Sequence, residues 1–361
     1  MTRGLIRFKL GSAGAALACV LSLAAAGAPV RAQAPPDDFE QGKQLLAQGD
    51  AKGAAAALKR AAEQRKTDAD AWYAYGLSLG RVNKRKDARK AFERAVKLRP
   101  DWATARASLA YTLILLNKPR DAEREATRAL ALDPKSADAH FVVGNVHYLA
   151  DDFARAAAEA EAALALTPDF PAAAFLYGDS LINIYIAEGE RQSQRHPLPP
   201  GAGEAERRPV FERREAALEP VKARMRETAD RLDAFAATRA AEEAESMREL
   251  AASLRLYGRA GGGNQGVFRG TEVLQKAVIT FKPEPSYTEE ARRNNVTGTV
   301  RLRAVLAADG RVRHIAVVKR LPDGLTDKSI AAARLIKFTP AKVDGRPVSQ
   351  FVVLEYNFDI Y

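Results

Sequence analysis

The sequence contains one cysteine, Cys19, and it lies inside an N-terminal apolar run. One thiol closes no internal disulfide, and if that run is removed no catalytic cysteine remains. Histidine is scarce as well, four in all. His140 and His147 stand seven positions apart, so they share a helix face but lie about 10 Å apart along its axis. One metal ion cannot join them, and both hold core positions of a repeat described below. His196 falls in a Pro/Gly loop, and His314 falls in a strand with no carboxylate nearby by spacing. There is no phosphate loop, no nucleophile elbow and no pair of acids in strand context. Glu242, Glu243 and Glu245 form a charge run of the kind that a solvated helix face carries. Aromatic residues are only 7% of the chain, without the aromatic-and-basic stripe of a nucleic-acid binder. No catalytic, cofactor-binding or metal-binding candidate is left, and against an enzyme there stands only this absence of motifs.

The apolar run itself, Leu10 to Val30, follows Arg3, Arg7 and Lys9 and ends in Val30-Arg31-Ala32. A basic start, an Ala/Leu-rich middle and a small-residue site are the three parts of a secretory signal, read as residues 1–32 and cleaved after Ala32. Cleavage after Ala34 would leave Pro35 first in the mature chain, and a lipid-anchor reading through Ala18-Cys19 fits its surroundings poorly. An uncleaved inner-membrane anchor is the alternative, because about twenty apolar residues just span a bilayer. Either way the bulk of the chain is expected in the periplasm. Removing residues 1–32 takes the net charge from +11 to +7. Residues 270–361 carry 15 Lys/Arg against 10 Asp/Glu, so most of the remaining charge is there.

Those last residues read as one small α+β unit. Thr299 to Leu306 alternates apolar residues with Arg301 and Arg303, the period of a half-buried strand. Asp309-Gly310 supplies a hairpin turn, and Val312 to Lys319 returns with an imperfect alternation at Ile315 to Val318 that suggests a bulge. Thr326 to Ile336 has helical spacing with Thr326 as its N-cap. Ser286 to Glu289 has capping-box spacing before a short helix, Glu289 to Asn294. After Asp344-Gly345 comes a strand from Phe351 to Ile360. It carries Val352, Leu354, Tyr356, Phe358 and Ile360 on one face and Glu355, Asn357 and Asp359 on the other, so one side alone is core.

Pro283-x-Pro285-x-Tyr287-x-x-x-Ala291, Val296-x-Gly298-x-Val300, Asp309-Gly310-x-Val312, Ile336-x-Phe338-x-Pro340-Ala341 and Asp344-Gly345-x-Pro347-Val348 together resemble the C-terminal domain of TonB-family proteins. The resemblance covers about ninety residues. It implies a periplasmic domain whose last strand pairs with a short segment of an outer-membrane transporter. Here that edge would be Phe351, Val353, Glu355, Asn357 and Asp359, acting by strand addition.

Upstream the dominant signal is an internal repeat of 34 residues. Pro100, Pro134 and Pro168 keep this spacing, as do Ala88, Ala122 and Ala156, and Ala95, Ala129 and Ala163. Gly42, Gly76, Ala110, Gly144 and Gly178 hold the same phase. With Trp72, Gly76, Ala88, Phe92, Ala95 and Pro100 in one repeat, the pattern resembles the tetratricopeptide (TPR) repeat. Repeats are read at 35–68, 69–102, 103–136 and 137–170, with a partial one at 171–190. The first has Lys66 where Pro is expected. The resemblance implies a peptide-binding groove lined by the first helix of each repeat, here Tyr73, Tyr111, Phe141, Asn145 and Tyr148. Those rings equally suit packing between repeats. Relatives that clamp a C-terminal carboxylate place Lys at the position of Phe141, and this chain does not.

Residues 191–209 read as a polar loop and 210–257 as a long helical segment capping the solenoid, with an apolar stripe of Leu232, Phe235, Met247, Leu250 and Leu254. Gly258 to Gly266 reads as a flexible linker, which makes the C-terminal domain of 267–361 tethered rather than fused. The fold expected is an α-helical TPR solenoid followed by a small α+β TonB-like domain. The function expected is a non-enzymatic periplasmic scaffold that uses no cofactor. Its partners are proteins, among them outer-membrane transporters or other cell-envelope proteins, with no nucleic acid and no small-molecule substrate. The rival is a TonB-type energy transducer anchored in the inner membrane. That family's anchor carries a histidine and precedes a Pro-rich spacer, whereas Leu10 to Val30 has no histidine and repeats replace the spacer.

Overall fold

The computed structural model describes residues 37–198, 201, 203–259, 267–268, 273, 275–343 and 345–359. The N-terminal signal or anchor, most of the Gly-rich linker, Asp344 and Ile360 lie outside these. Eleven helices come first among the described residues. Three hairpins are formed by α1 (Asp38–Ala47) with α2 (Ala51–Gln64), α3 (Ala69–Arg81) with α4 (Arg85–Leu98), and α5 (Ala103–Leu115) with α6 (Pro119–Leu132), and α7 (Ala137–Leu149) and α8 (Phe153–Leu166) come next. Then follow α9 (Pro171–Arg195), α10 (Glu204–Ala237) and α11 (Ala241–Tyr257). Helices α1 to α7 with residues 162–170 form one compact unit, and residues 151–161 with the chain from Pro171 onward form another.

In the repeats the 34-residue period has a backbone cause. A residue in the left-handed region follows the first helix of each repeat: Gly49 at φ 85°, Asn83 at 60°, Asn117 at 57° and Asp151 at 57°. Glycine, asparagine and aspartate adopt that region at the least cost, and it reverses the chain in two or three residues. The paired helices then approach over missing side chains. A Cβ on Gly42 would lie 2.4 Å from Leu58 Cγ, and one on Gly76 would lie 2.6 Å from Phe92 Cε1. The periodic alanines Ala88, Ala122, Ala95 and Ala129 are fully buried. Three of the helices start on a capping aspartate, with Asp37, Asp50 and Asp68 accepting from backbone N–H groups.

The second unit departs from the sequence reading at its helices. α9 continues to Arg195 and α10 begins at Glu204, so the loop expected over 191–209 shrinks from both ends. α10 passes through Pro209 and Pro220; its Glu-, Arg- and Ala-rich flanks are strong helix formers and carry it across both breaks. α11 packs on α9, where a Cβ on Gly178 would come within 2.9 Å of Leu254.

The sheet of this unit runs in the order β1 (Val267–Phe268), β7 (Arg346–Phe358), β3 (Gly298–Leu306), β4 (Val312–Lys319), with β6 (Ala341–Val343) also on β7. β2 (Val278–Phe281) and β5 (Lys337–Thr339) form a separate two-stranded ribbon. β3 and β7 match antiparallel without interruption from Gly298↔Phe358 to Leu306↔Gln350. One face of this ladder, with Val300, Leu302, Leu354, Tyr356 and Phe358, is buried with Ala291 of α12 (Glu289–Arg293) and Ile330 and Ala333 of α13 (Leu325–Arg334). Two caps differ from expectation. Thr288 rather than Ser286 caps α12, accepting from Ala291 N at 3.1 Å. α13 starts after Gly324 at φ 81°, while Thr326 closes the preceding turn by bonding both the N–H and the C=O of Leu321. The register against β3 shifts twice, once at Val318, within the expected stretch Ile315 to Val318, and once between Arg313 and Ala316, beside His314 at φ 51°.

The other face of the sheet is not left to water along its whole length. The Arg303 guanidinium lies 5.0 Å from the centre of the Phe351 ring and 5.6 Å from that of Tyr257, and the two rings stack at 5.6 Å. Tyr257 ends α11 and meets Tyr185 of α9 at 5.7 Å. Ser253 of α11 reaches His314 Nδ1 at 3.0 Å, and Glu249 pairs with Arg334 at 3.5 Å. These contacts join the helices to the strands directly, where the Gly-rich stretch alone suggests a loose tether. Burying a Tyr and a Phe against a guanidinium combines area with cation–π attraction. Tyr257→Ala in the full chain is therefore expected to destabilise this unit by about 3 kcal/mol, read by chemical denaturation. An unchanged midpoint would mean that the ring cluster does not couple helix to sheet.

Candidate interaction sites

Two regions carry the residues singled out in the sequence. The first is β7. Toward β3 its backbone is fully paired; on its other side β6 pairs only Arg346 to Val348 and β1 only Ser349 and Gln350. From Phe351 to Phe358 no further strand pairs with it among the described residues. The side chains alternate as expected: Leu354, Tyr356 and Phe358 are buried, while Val353 is 60% exposed and Glu355 and Asn357 are exposed. Phe351, named with the edge, is half-buried in the Tyr257–Arg303 cluster, because its odd-numbered face is where α11 docks. Asp359 is exposed and follows the end of the strand.

Across the strands, Arg301 Nε meets Glu355 at 2.7 Å and Thr299 Oγ1 donates to Asn357 at 2.8 Å. The segment around β2 runs beside the open stretch without forming a ladder. Ala277 N donates to Gln350 Oε1 at 2.7 Å, and Lys282 Nζ donates to the Glu355 carbonyl at 2.5 Å. The same ammonium lies 4.5 Å from the Tyr356 ring centre. Burial pushes the Tyr356 hydroxyl up to about 12, so the ring stays neutral. All of β2 is exposed, with Val278 at 60% and Phe281 at 53%. Flanking the stretch, Tyr287 packs edge-on against Phe358 at 5.6 Å and donates to the Val296 carbonyl. Gly298, at φ 133°, leaves room for Leu321. Those contacts give a physical role to the spaced motif residues.

The second region is the row of first helices in the repeats. Tyr111, Phe141, Asn145 and Tyr148 are all buried. Tyr111 and Phe141 lie 6.0 Å apart, Phe141 and Phe170 5.1 Å, and Asn145 Nδ2 donates to the Phe141 carbonyl at 2.8 Å. The rings named as a lining thus face neighbouring rings, since stacked hairpins leave an aromatic side chain no other apolar contact. Tyr73 is half-buried, packed on Trp102 at 4.6 Å, with its hydroxyl 3.3 Å from Ser108 Oγ.

Sequence reasoning passed over Asp138, in the first turn of α7. Burial raises its carboxyl from 3.8 to about 6, and burial first, with a smaller effect of the Asp138 charge, raises the Tyr73 phenol against the opposing Ser108 hydrogen bond. Among the described residues no cation is hydrogen-bonded or ion-paired to it. The signal was present in the repeat alignment, where Asp70 is its equivalent and has an arginine partner.

Comparison with known families places both regions. Residues 283–360 match the family model for the Gram-negative bacterial TonB protein C-terminal domain. Tetratricopeptide repeat models match residues 39–82, 69–102 and 109–171. The chain therefore joins tetratricopeptide repeats to a TonB-type C-terminal domain, and both are protein-interaction families. No curated protein sequence matches the chain. Among solved structures, MamA from Desulfovibrio magneticus RS-1 is similar at 20% identity, over 42% of this chain and 88% of that one, with a TM-score of 0.36. A thermophilic tetratricopeptide protein of Thermus thermophilus is similar at 18% identity, over 50% and 97%, with a TM-score of 0.38. The TPR domain of Arabidopsis OM64 is similar at 24% identity, over 29% and 87%, with a TM-score of 0.28.

The Asp138 carboxyl supplies a test of the repeat region. Its folded value stands above that of an unfolded chain, so the stability present below pH 3.8 is lost as the pH rises through about 6. Asp138→Asn is expected to melt roughly 2–4 °C above wild type at neutral pH, with the two curves converging at acid pH. An equal gain at both pH values would assign the effect to something other than the buried charge.

Proposed function

We propose that this chain is an exported interaction scaffold of the periplasm, without enzymatic activity, in which β7 captures an extended partner segment by strand addition while the repeats hold a second protein. The observation that carries the reading is the stretch from Phe351 to Phe358, whose outer side has no strand partner among the described residues. An added strand would gain main-chain hydrogen bonds there, and the exposed Val353 beside Lys282 would select among segments. Resemblance to the TonB-type domain supports the periplasmic segment of an outer-membrane transporter as partner. The Ala/Leu-rich run of residues 10–30, with its basic start, supports export.

The Glu355 carbonyl is bonded to Lys282, so by the two-residue alternation Asn357 turns its N–H to the same side. Proline there removes that donor. Asn357→Pro is expected to weaken titrated binding of a peptide from a transporter's periplasmic face at least about tenfold, with the melting temperature held near wild type. A folded variant with unchanged affinity would remove strand addition at this edge.

Mass spectrometry of the native protein is expected to find Gln33 at its N-terminus. Recovery of residues 1–32 on membrane-bound protein would favour the anchored energy transducer instead.

A further inference from the structure

The second helices of the first three repeats expose charge of one sign along one stripe. On α4, Lys86, Lys90, Arg94 and Lys97 stand at i, i+4, i+8 and i+11, which places them on a single helix face about 16 Å long. The opposite face, with Ala88, Ala91, Phe92 and Ala95, is buried. At the same positions of the repeat α2 carries Lys52 and Arg60, and α6 carries Arg120, Arg124 and Arg128. Apart from the half-buried Arg94, all of these cations are exposed. In the fourth repeat the four positions are Ala154, Ala158, Ala162 and Ala165. Nine of twelve positions are therefore cations in three repeats and none of four in the next, so the repeat itself does not require them.

Helix stability does not require them either. Like charges four residues apart repel, and α4 sets Lys86, Lys90 and Arg94 in such a row. On α6 the repulsion is relieved, because Arg124 pairs with Asp121 at 2.7 Å and Arg128 with Glu125 at 2.9 Å. On α4 it is not. Residues 81–99 hold nine Lys/Arg against two Asp/Glu, and among the described residues Lys86, Lys90 and Lys97 make no ion pair. Lys52 and Arg120 make none there either.

The chemistry of the stripe narrows what would neutralise it. Lysine predominates among the unpaired cations, and its ammonium is a hydrated point charge suited to a diffuse layer of phosphates; fork-like capture of a single carboxylate is a guanidinium's task. The stripe holds no aromatic side chain to stack on bases and no large apolar one to anchor a peptide. A membrane is also close by in sequence. The apolar run ends at Val30 and α1 begins at Asp38, an interval that spans at most about 28 Å.

We propose that the basic face of α2, α4 and α6 lies against an anionic phospholipid surface, the periplasmic side of the membrane through which the chain is exported, and holds the processed protein there. The proposal rests on the reading of residues 1–32 as an export leader. N-terminal mass measurement tests that reading and vesicle binding tests the face, so the two can fail apart.

For the test, the chain from Gln33 onward is mixed with phosphatidylcholine vesicles, with and without about one third phosphatidylglycerol, and bound protein is measured by co-sedimentation. Binding is expected with the anionic lipid alone, falling at least about tenfold between about 50 and 300 mM salt as the charges are screened. Lys86→Gln, Lys90→Gln and Lys97→Gln together should weaken it at least about fiftyfold, at about fivefold for each charge withdrawn. Helicity should be unchanged, since glutamine is as good a helix former as lysine and all three sites are exposed. Lys319→Gln, Lys328→Gln and Lys337→Gln remove the same charge from the C-terminal unit and should leave binding within about twofold. Equal losses in the two triple variants would assign the effect to net charge and overturn the proposal. Equal binding to neutral vesicles would overturn it too, as would capture of a polyglutamate peptide by a protein that ignores anionic vesicles, which would make the partner an acidic polypeptide.

Discussion

The uninterrupted ladder between β3 and β7 is the constraint from which the C-terminal unit follows. Nine consecutive residue pairs in one register fix which side chains of β7 point to α12 and α13, because a slip by one residue would exchange the two faces. With that register set, Tyr356 and Phe358 must be core and Val353 and Glu355 must be outside. The ladder also uses up one edge of β7 and leaves the other to be covered or left open. β6 and β1 cover its beginning. Beyond Gln350 the neighbouring segment supplies a side-chain contact from Lys282 to the Glu355 carbonyl instead of a strand. Side-chain contacts of that kind are displaced more easily than a ladder, so the edge is shielded without being sealed.

A different constraint governs the repeats. The left-handed turn at every thirty-fourth residue sets how far the chain travels before it reverses, and the missing side chains at Gly42 and Gly76 set how closely the helices then meet. Once both are fixed, large rings have space in one place only, between successive hairpins. This explains why Tyr111, Phe141 and Tyr148 are buried, although their spacing places them on the row of helices that lines a groove. Tyr73, Ser108 and Asp138 on the same row are half-buried, with the Tyr73 and Ser108 hydroxyls bonded to each other.

Periodic features were legible in the sequence, and contacts between periodic elements were not. The alternation of Thr299 to Leu306, the faces of β7, the turn at Asp309-Gly310 and the repeat itself follow from the side-chain pattern, since burial of one face imposes it. The turn residues Asn83, Asn117 and Asp151 keep the same spacing and were a readable signal that composition alone obscured. The bounds of α9 and α10 misled because the polar composition of 191–209 reads as loop, although its Glu- and Arg-rich residues also extend a helix from either end. The docking of α11 on the sheet misled for a deeper reason. Tyr257, Arg303 and Phe351 come from three separate elements, each at a position where its own element makes no demand, so no periodicity announces that they meet. The Gly-rich stretch between them reports on the connection, whereas the interface is decided by the surfaces it connects.

Repetition within a chain offers a control that a single fold lacks. Equivalent positions share backbone, neighbours and orientation, so a substitution between repeats isolates one side chain as a designed variant would. The step from Arg99 to Thr167 removes a charge while the carboxylate that Arg99 meets in the second repeat is kept as Asp138 in the fourth. Along β7 the unfilled valence is a row of backbone groups, indifferent to side-chain identity, which favours capture of many segments of one conformation.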